Sequence, residues 1–112
     1  MRLDEHAVVA RIERLTLREL RVWVGEGLVR PVYAEGGPVY DDIDVARLRL
    51  LCDLRKDMAL PADVLPVVLS LIDHLHRTRR DLRHLAEALD EQSPDVRRAV
   101  LRSVQSRNEK QR

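Results

Sequence analysis

A chain of 112 residues suits one small domain, or a domain with a helical extension, and 20 basic against 19 acidic side chains leave a net charge of only +1, with no surplus to drive nucleic-acid binding. With no Phe, one Trp and two Tyr, the core must be built from Leu, Val, Ile and Ala, and the abundant Arg, Glu and Asp around them favour helices. The single cysteine, Cys52, excludes an intrachain disulfide and any multi-thiolate metal site; in its apolar helical setting it reads as a small buried hydrophobe.

In chain order, Asp4 can cap a first helix reaching about Arg11, with Ala7, Val8 and either Val9 or Ile12 turned inward. Thr16 and Glu19 form a capping box, and Leu15 before them supplies a hydrophobic staple. Leu17, Leu20, Trp23 and Val24 follow at helical spacing, Gly27 suits a left-handed terminator and Pro31 forbids resumption, which predicts a helix from Leu17 to about Glu26 with Trp23 in the core. "LVRPVYAEGGPVY" places Val29, Val32, Tyr33, Val39 and Tyr40 around Gly36-Gly37, the pattern of a small hairpin or wing. Asp41, Asp42 and Asp44 suit the positive dipole end of the next helix, whose apolar face is expected at Ile43, Ala46, Leu50, Leu51, Leu54 and Met58.

Pro61 and Asp63 open a longer helix, in which Pro66 is tolerable only near the first turn. Val64, Val68, Leu71, Leu75, Thr78, Leu82, Leu85 and Leu89 alternate at spacings of four and three, an a/d heptad series. At 1.5 Å per residue this helix runs about 39 Å, too long for a small domain to bury. Antiparallel pairing in a homodimer through Val68, Leu71, Leu75, Leu82 and Leu85 is the expectation, with folding back onto the last helix as the alternative. Ser93-Pro94 caps one more amphipathic helix carrying Val96, Val100, Leu101 and Val104, and residues 105–112 read as frayed. Two domains are expected, residues 1–60 and 61–112. No apolar run reaches membrane-spanning length and "MRLDEHAVV" lacks the pattern of a signal peptide, so a cytoplasmic protein without a membrane contact is expected.

Helix, capped helix, hairpin, long helix is the order of the MerR-like winged helix-turn-helix scaffold, and the residues carry the likeness. "TLRELRVWVGEGLVRP" resembles that group's second helix and its Gly-Leu-x-x-Pro exit; "GGPVYDDIDVARLRLL" resembles its wing, closing Tyr and acidic helix cap. Within the group the chain resembles the chaperone-modulator, CbpM-like, branch. "VYDDIDVARLRLLCDL" has paired aspartates after an aromatic, and "MALPADVLPVVLSLIDHLHRTRRDL" is similar to the branch's Leu- and Val-rich helix, with Ser70 and then Asp73. The resemblance implies a mainly α fold, a MerR-like winged helix-turn-helix with a small β-hairpin wing followed by a long dimerising helix and a short C-terminal helix. It further implies a modulator, an inhibitor in effect, that binds the J-domain of a DnaJ-type co-chaperone. The alternative is a small MerR-type DNA-binding transcription regulator. Arg18 and Arg21 match basic positions of DNA-reading members, whereas Val22 departs from their Arg-aromatic-aromatic run, Pro38 stands where their wing carries Arg, and Arg14 where Gly is usual.

The candidate sites follow from these two readings. J-domains of the kind bound by the branch present a basic helix, so acidic groups beside an apolar stripe are needed. Asp42, Asp53 and Asp57 fall within about 60° of one another at 100° per residue and are the expected protein-binding residues; singly, each also suits an ordinary solvated charge. For DNA, Arg18 and Arg21 would be the contacts, although Glu19 and Glu26 on the same helix repel phosphate, and residues 1–60 carry ten basic against eleven acidic side chains. His74 and His76 point about 200° apart on a helix and do not share an ion. Ser70 and His74 lie one turn apart but without an oxyanion donor, and Gly36-Gly37 is too short to cradle phosphate. "HLHRTRRDLRH" reads as the solvated side of a coiled coil. No catalytic residue, metal or cofactor is expected, and specific nucleic-acid binding is not.

Overall fold

The computed structural model describes residues 2–111. The chain divides into two compact units, one running to Leu71 and the other starting at Ile72. The first is a winged helix-turn-helix and the second is helical, so the fold is mainly α, as the sequence implies.

Local chemistry places the first elements. Helix α1 (Glu5–Arg11) begins where the Asp4 carboxylate accepts the Ala7 N–H at 2.8 Å. Helix α2 (Leu17–Gly25) opens on the expected capping box: Thr16 Oγ1 accepts the Glu19 N–H and Glu19 Oε1 accepts the Thr16 N–H, both at 3.1 Å. It closes on Gly27, whose φ of +76° lets the Gly27 and Leu28 N–H groups reach back to the Val24 and Trp23 carbonyls. Leu28 and Val29 are thereby turned into the core.

Strands β1 (Val32–Ala34) and β2 (Gly37–Val39) pair antiparallel with Val32 opposite Val39. A bridge in which Leu3 and Tyr40 exchange backbone hydrogen bonds of 2.8 and 2.7 Å ties the N-terminal segment to the base of this wing. Helix α3 (Asp42–Cys52) starts with a second capping box, made by Asp41 and Asp44. It passes into a single π-helical turn, Asp53–Asp57, that ends with Ala59 at φ +54°. Helix α4 (Leu65–Asp90) follows, then α5 (Pro94–Lys110), capped by Ser93 with Pro94 in its first turn.

The core of the first unit gathers Val8 and Ile12, Leu15, Leu20 and Trp23, Leu28 and Val29, Tyr40, the inner face of α3 and the start of α4. Leu65 and Leu69 anchor α4 there, so this core draws on side chains beyond position 60. Three expectations need correction. The inner face of α3 is Val45, Leu48, Leu51 and Cys52, with Leu54 following, while Ile43 is 76% exposed and Ala46 and Met58 also face outward. At 100° per residue Ile43, Ala46 and Leu50 share one side of the helix and Val45, Leu48 and Cys52 another, so spacing alone cannot select between them. Val64 lies in the turn before α4, whose Pro66 falls in its first turn, and α5 is helical to Lys110 where fraying was expected; position 112 lies outside the described residues.

In the second unit α5 buries none of its residues and leaves Leu82 and Leu85 of α4 at 65% and 67% exposure, so the last helix does not fold back over the heptad seam. Among the described residues no helix is long and apolar enough to cross a membrane.

Trp23, at 5% exposure, sits where the sequence places it. Trp23→Ala should lower the unfolding free energy by about 3–5 kcal/mol in a urea titration. Native tryptophan emission should be blue-shifted, and a water-like spectrum would contradict this packing.

Candidate functional site

Three side-chain groupings in the first unit decide what its surface can contact. The first is the outward side of α2 and the wing. Arg21 Nε donates to Glu5 Oε2 at 3.0 Å, Glu5 lying in the first turn of α1, where the dipole favours an acid. Arg18 is exposed and has no ion pair among the described residues. The wing carries no Lys or Arg: between Arg30 and Arg47 the only charges are Glu35, Asp41, Asp42 and Asp44. Tyr33 stands 70% exposed, with Val32 also open to solvent.

The second grouping joins the turn before α2 to the π-helical turn. The Arg14 guanidinium donates to Asp53 at 2.6 Å and also to Asp57. Lys56 donates to the Arg14 carbonyl and, at 2.9 Å, to Glu19 Oε1. Two of the acidic residues expected to bind a partner are therefore brought together, held by a cation of their own chain, and still half exposed. Asp42 is not with them: it opens α3, about 16 Å away at 1.5 Å per residue. Burial works against ionising Glu19, but the hydrogen bonds from Lys56 and Thr16 outweigh it and hold this carboxyl below its usual range.

The third grouping surrounds Tyr40. Its side chain is 1% exposed, and its phenol is pushed up to about 12, first by burial and then by Glu5, Tyr33 and Asp44, with Arg21 opposing. Glu5 of α1, Tyr33 of the wing, Asp44 of α3 and Arg21 of α2 thus bear on this phenol from four elements. Sequence spacing gave no hint of the Arg14 and Lys56 contacts, because the partners lie far apart in the chain.

Of the seam residues, Val68 is half-buried, whereas Leu71, Leu75, Leu82 and Leu85 are exposed. Ser70 and His74 share no hydrogen bond among the described residues; the back-bond in that stretch runs from Thr78 Oγ1 to the His74 carbonyl at 2.9 Å. No three or more His, Cys, Asp or Glu side chains gather as metal ligands among the described residues. Cys52 is fully buried, and burial pushes its thiol up, away from the reactive thiolate.

A family model described as MerR HTH family regulatory protein matches residues 6–63, α1 through the turn before α4 and just over half of the chain. No curated protein and no solved structure matches it.

Glu19, ionised more readily when folded than when unfolded, stabilises the fold above its ordinary value of 4.5, and that contribution is lost as pH falls through the lower folded value. Glu19→Gln should lower the melting temperature at neutral pH and flatten its fall on the acid side. Parallel melting curves for the two proteins from pH 7 to about pH 3 would show that the Lys56 contact adds nothing to stability.

Proposed function

The chain belongs to the MerR HTH family of regulatory proteins, and we propose that within it this protein regulates by protein contact, as a modulator, inhibitory in effect, of a DnaJ-type co-chaperone bound through its J-domain. The observation that carries this reading is the charge on the face made by α2 and the wing. One of the two arginines of α2 is held by Glu5, the wing has no cation, and the only charges between Arg30 and Arg47, the stretch that carries exposed Tyr33 and Val32, are Glu35, Asp41, Asp42 and Asp44. A phosphate backbone needs the opposite field. The resemblance of "VYDDIDVARLRLLCDL" to the chaperone-modulator branch supports the same partner. Asp42, Asp53 and Asp57 supply a negative field along α3; the latter two remain half exposed while they hold Arg14, so they still steer a basic partner and set its orientation. The role asks for no catalysis and no cofactor. DNA binding is the second reading, favoured by Arg18, which is exposed on α2 and makes no ion pair among the described residues.

A J-domain should bind the purified protein with an affinity that falls as salt is raised, and Asp53→Asn with Asp57→Asn should weaken it several-fold, chiefly through slower association. Sequence-selective binding to duplex DNA at physiological salt, with no affinity for a J-domain, would replace this reading with the second one.

The same reading includes a homodimer through α4, in which Leu71, Leu75, Leu82 and Leu85, all exposed on the single chain, are covered by a second copy together with the half-buried Val68. Each leucine buried fully contributes on the order of 1.5–3 kcal/mol relative to exposure. Sedimentation at micromolar concentration should give twice the chain mass, and Leu82→Asp should shift it toward the monomer; a wild-type monomer would rule the dimer out.

A further inference from the structure

We propose that α4 pairs with a second copy of itself in one antiparallel register, in which His74 of each chain meets the Asp81 of the other. The inference rests on the homodimer reading above and says which residues choose the orientation and the alignment of the two helices.

A single chain leaves the seam open. Helix α4 is continuous from Leu65 to Asp90, and along it Leu71, Leu75, Leu82 and Leu85 are between 46% and 67% exposed. A second copy fits this face because the seam matches itself when reversed. With the helices antiparallel, Leu71 lies opposite the partner's Leu82, Val68 opposite the partner's Leu85, and Leu75 opposite the partner's Thr78. The one polar residue among these brings no unmet donor to the interface: Thr78 Oγ1 already donates to the His74 carbonyl of its own helix at 2.9 Å.

The charges then select the orientation. With Val68 and Leu71 as the two seam positions of the seven-residue repeat, every charged or histidine side chain of α4 points away from the seam except His74, Arg79 and Asp81, which border it. His74 and Asp81 hold the same flanking position one repeat apart, and Arg79 holds the opposite flank. Like flanks meet in an antiparallel pair. His74 then faces the partner's Asp81, its own Asp81 faces the partner's His74, and the aliphatic stem of Arg79 covers the partner's Ile72. Unlike flanks meet in a parallel pair, which would set His74 against the partner's Arg79 and Asp81 against the partner's Ala86. Both His74 and Asp81 are exposed, and neither side chain has a hydrogen bond or ion pair among the described residues, so both are available to a second copy. Flanking charges of this kind fix orientation and register more than they add affinity.

The test is a charge exchange read by sedimentation equilibrium of the full-length protein, with a disulfide experiment beside it. His74→Glu sets carboxylates against the partner's Asp81 on both flanks and should weaken the dimer about tenfold, Asp81→Lys should weaken it less, and the double variant should return to within about threefold of wild type. The two positions lie about 10 Å apart along one helix, so recovery in the double variant reports a contact between chains. Leu71→Cys and Leu82→Cys proteins, mixed and mildly oxidised, should form a mixed disulfide. Either protein alone should form none, its two copies of the cysteine lying about 16 Å apart along the axis. Cys52 is buried and stays out of the reaction. A double variant no tighter than His74→Glu, or disulfide dimers of each cysteine variant alone with no mixed species, would overturn the register and leave the homodimer standing. A wild-type monomer would overturn both.

Discussion

The rest of the first unit depends on the chain reversal at Gly27. A side chain at φ +76° is strained, so only glycine closes α2 there without cost. The reversal turns Leu28 and Val29 into the core within two residues, and the Leu28 carbonyl is then taken by Arg47 of α3. Pro31 follows, buried, and prevents any return to helix, so the chain leaves the core extended and becomes the wing. Without that turn β1 would not start at Val32, β2 would not return to pair Tyr40 with Leu3, and Asp41 would not stand where it caps α3. One backbone conformation thus links the end of α2 to the wing, to Tyr40 and to the cap of α3.

What the sequence made legible was chemistry local to the chain. Asp4, Thr16 with Glu19, Gly27 and Ser93-Pro94 each act within a few residues, so a reader of the string sees both halves of the interaction. The family match to residues 6–63 bears on the same stretch, where several of those spacings are fixed together. The face of α3 was not legible because the helix has apolar residues on more than one side; Ile43 and Val45 differ in burial only through what packs above them, which spacing does not encode. The π-helical turn has no sequence signature either. Its extra residue changes the rotation between Leu51 and Met58, which leaves Met58 outside the core.

The acidic residues show the same limit from the side of function. Asp53 and Asp57 were singled out by rotation about one helix axis, a local argument, and they do share a place. The cation between them comes from Arg14, 39 residues before Asp53, and only folding brings it there. Tyr40 reads in the sequence as the hydrophobic end of a strand. The groups that bear on its phenol come from four elements that no spacing rule connects.

These contacts also decide which of the cations of a nearly neutral chain are left to meet a partner. Arg14 and Lys56 lie across the turn before α2, Arg21 lies against Glu5, Arg47 is turned to the Leu28 carbonyl and Arg55 to that of Leu60 at 3.1 Å. Exposed pairs of this kind contribute little to stability, typically below about 1 kcal/mol each. Their larger effect is on presentation. Cations turned to carbonyls are less free to reach a phosphate. The acids of the wing and of the start of α3 meet no cation of the wing itself, and two of them are engaged chiefly in capping one another. The field over α2 and the wing is therefore set less by how many arginines the chain has than by which carbonyls and carboxylates the fold places within their reach.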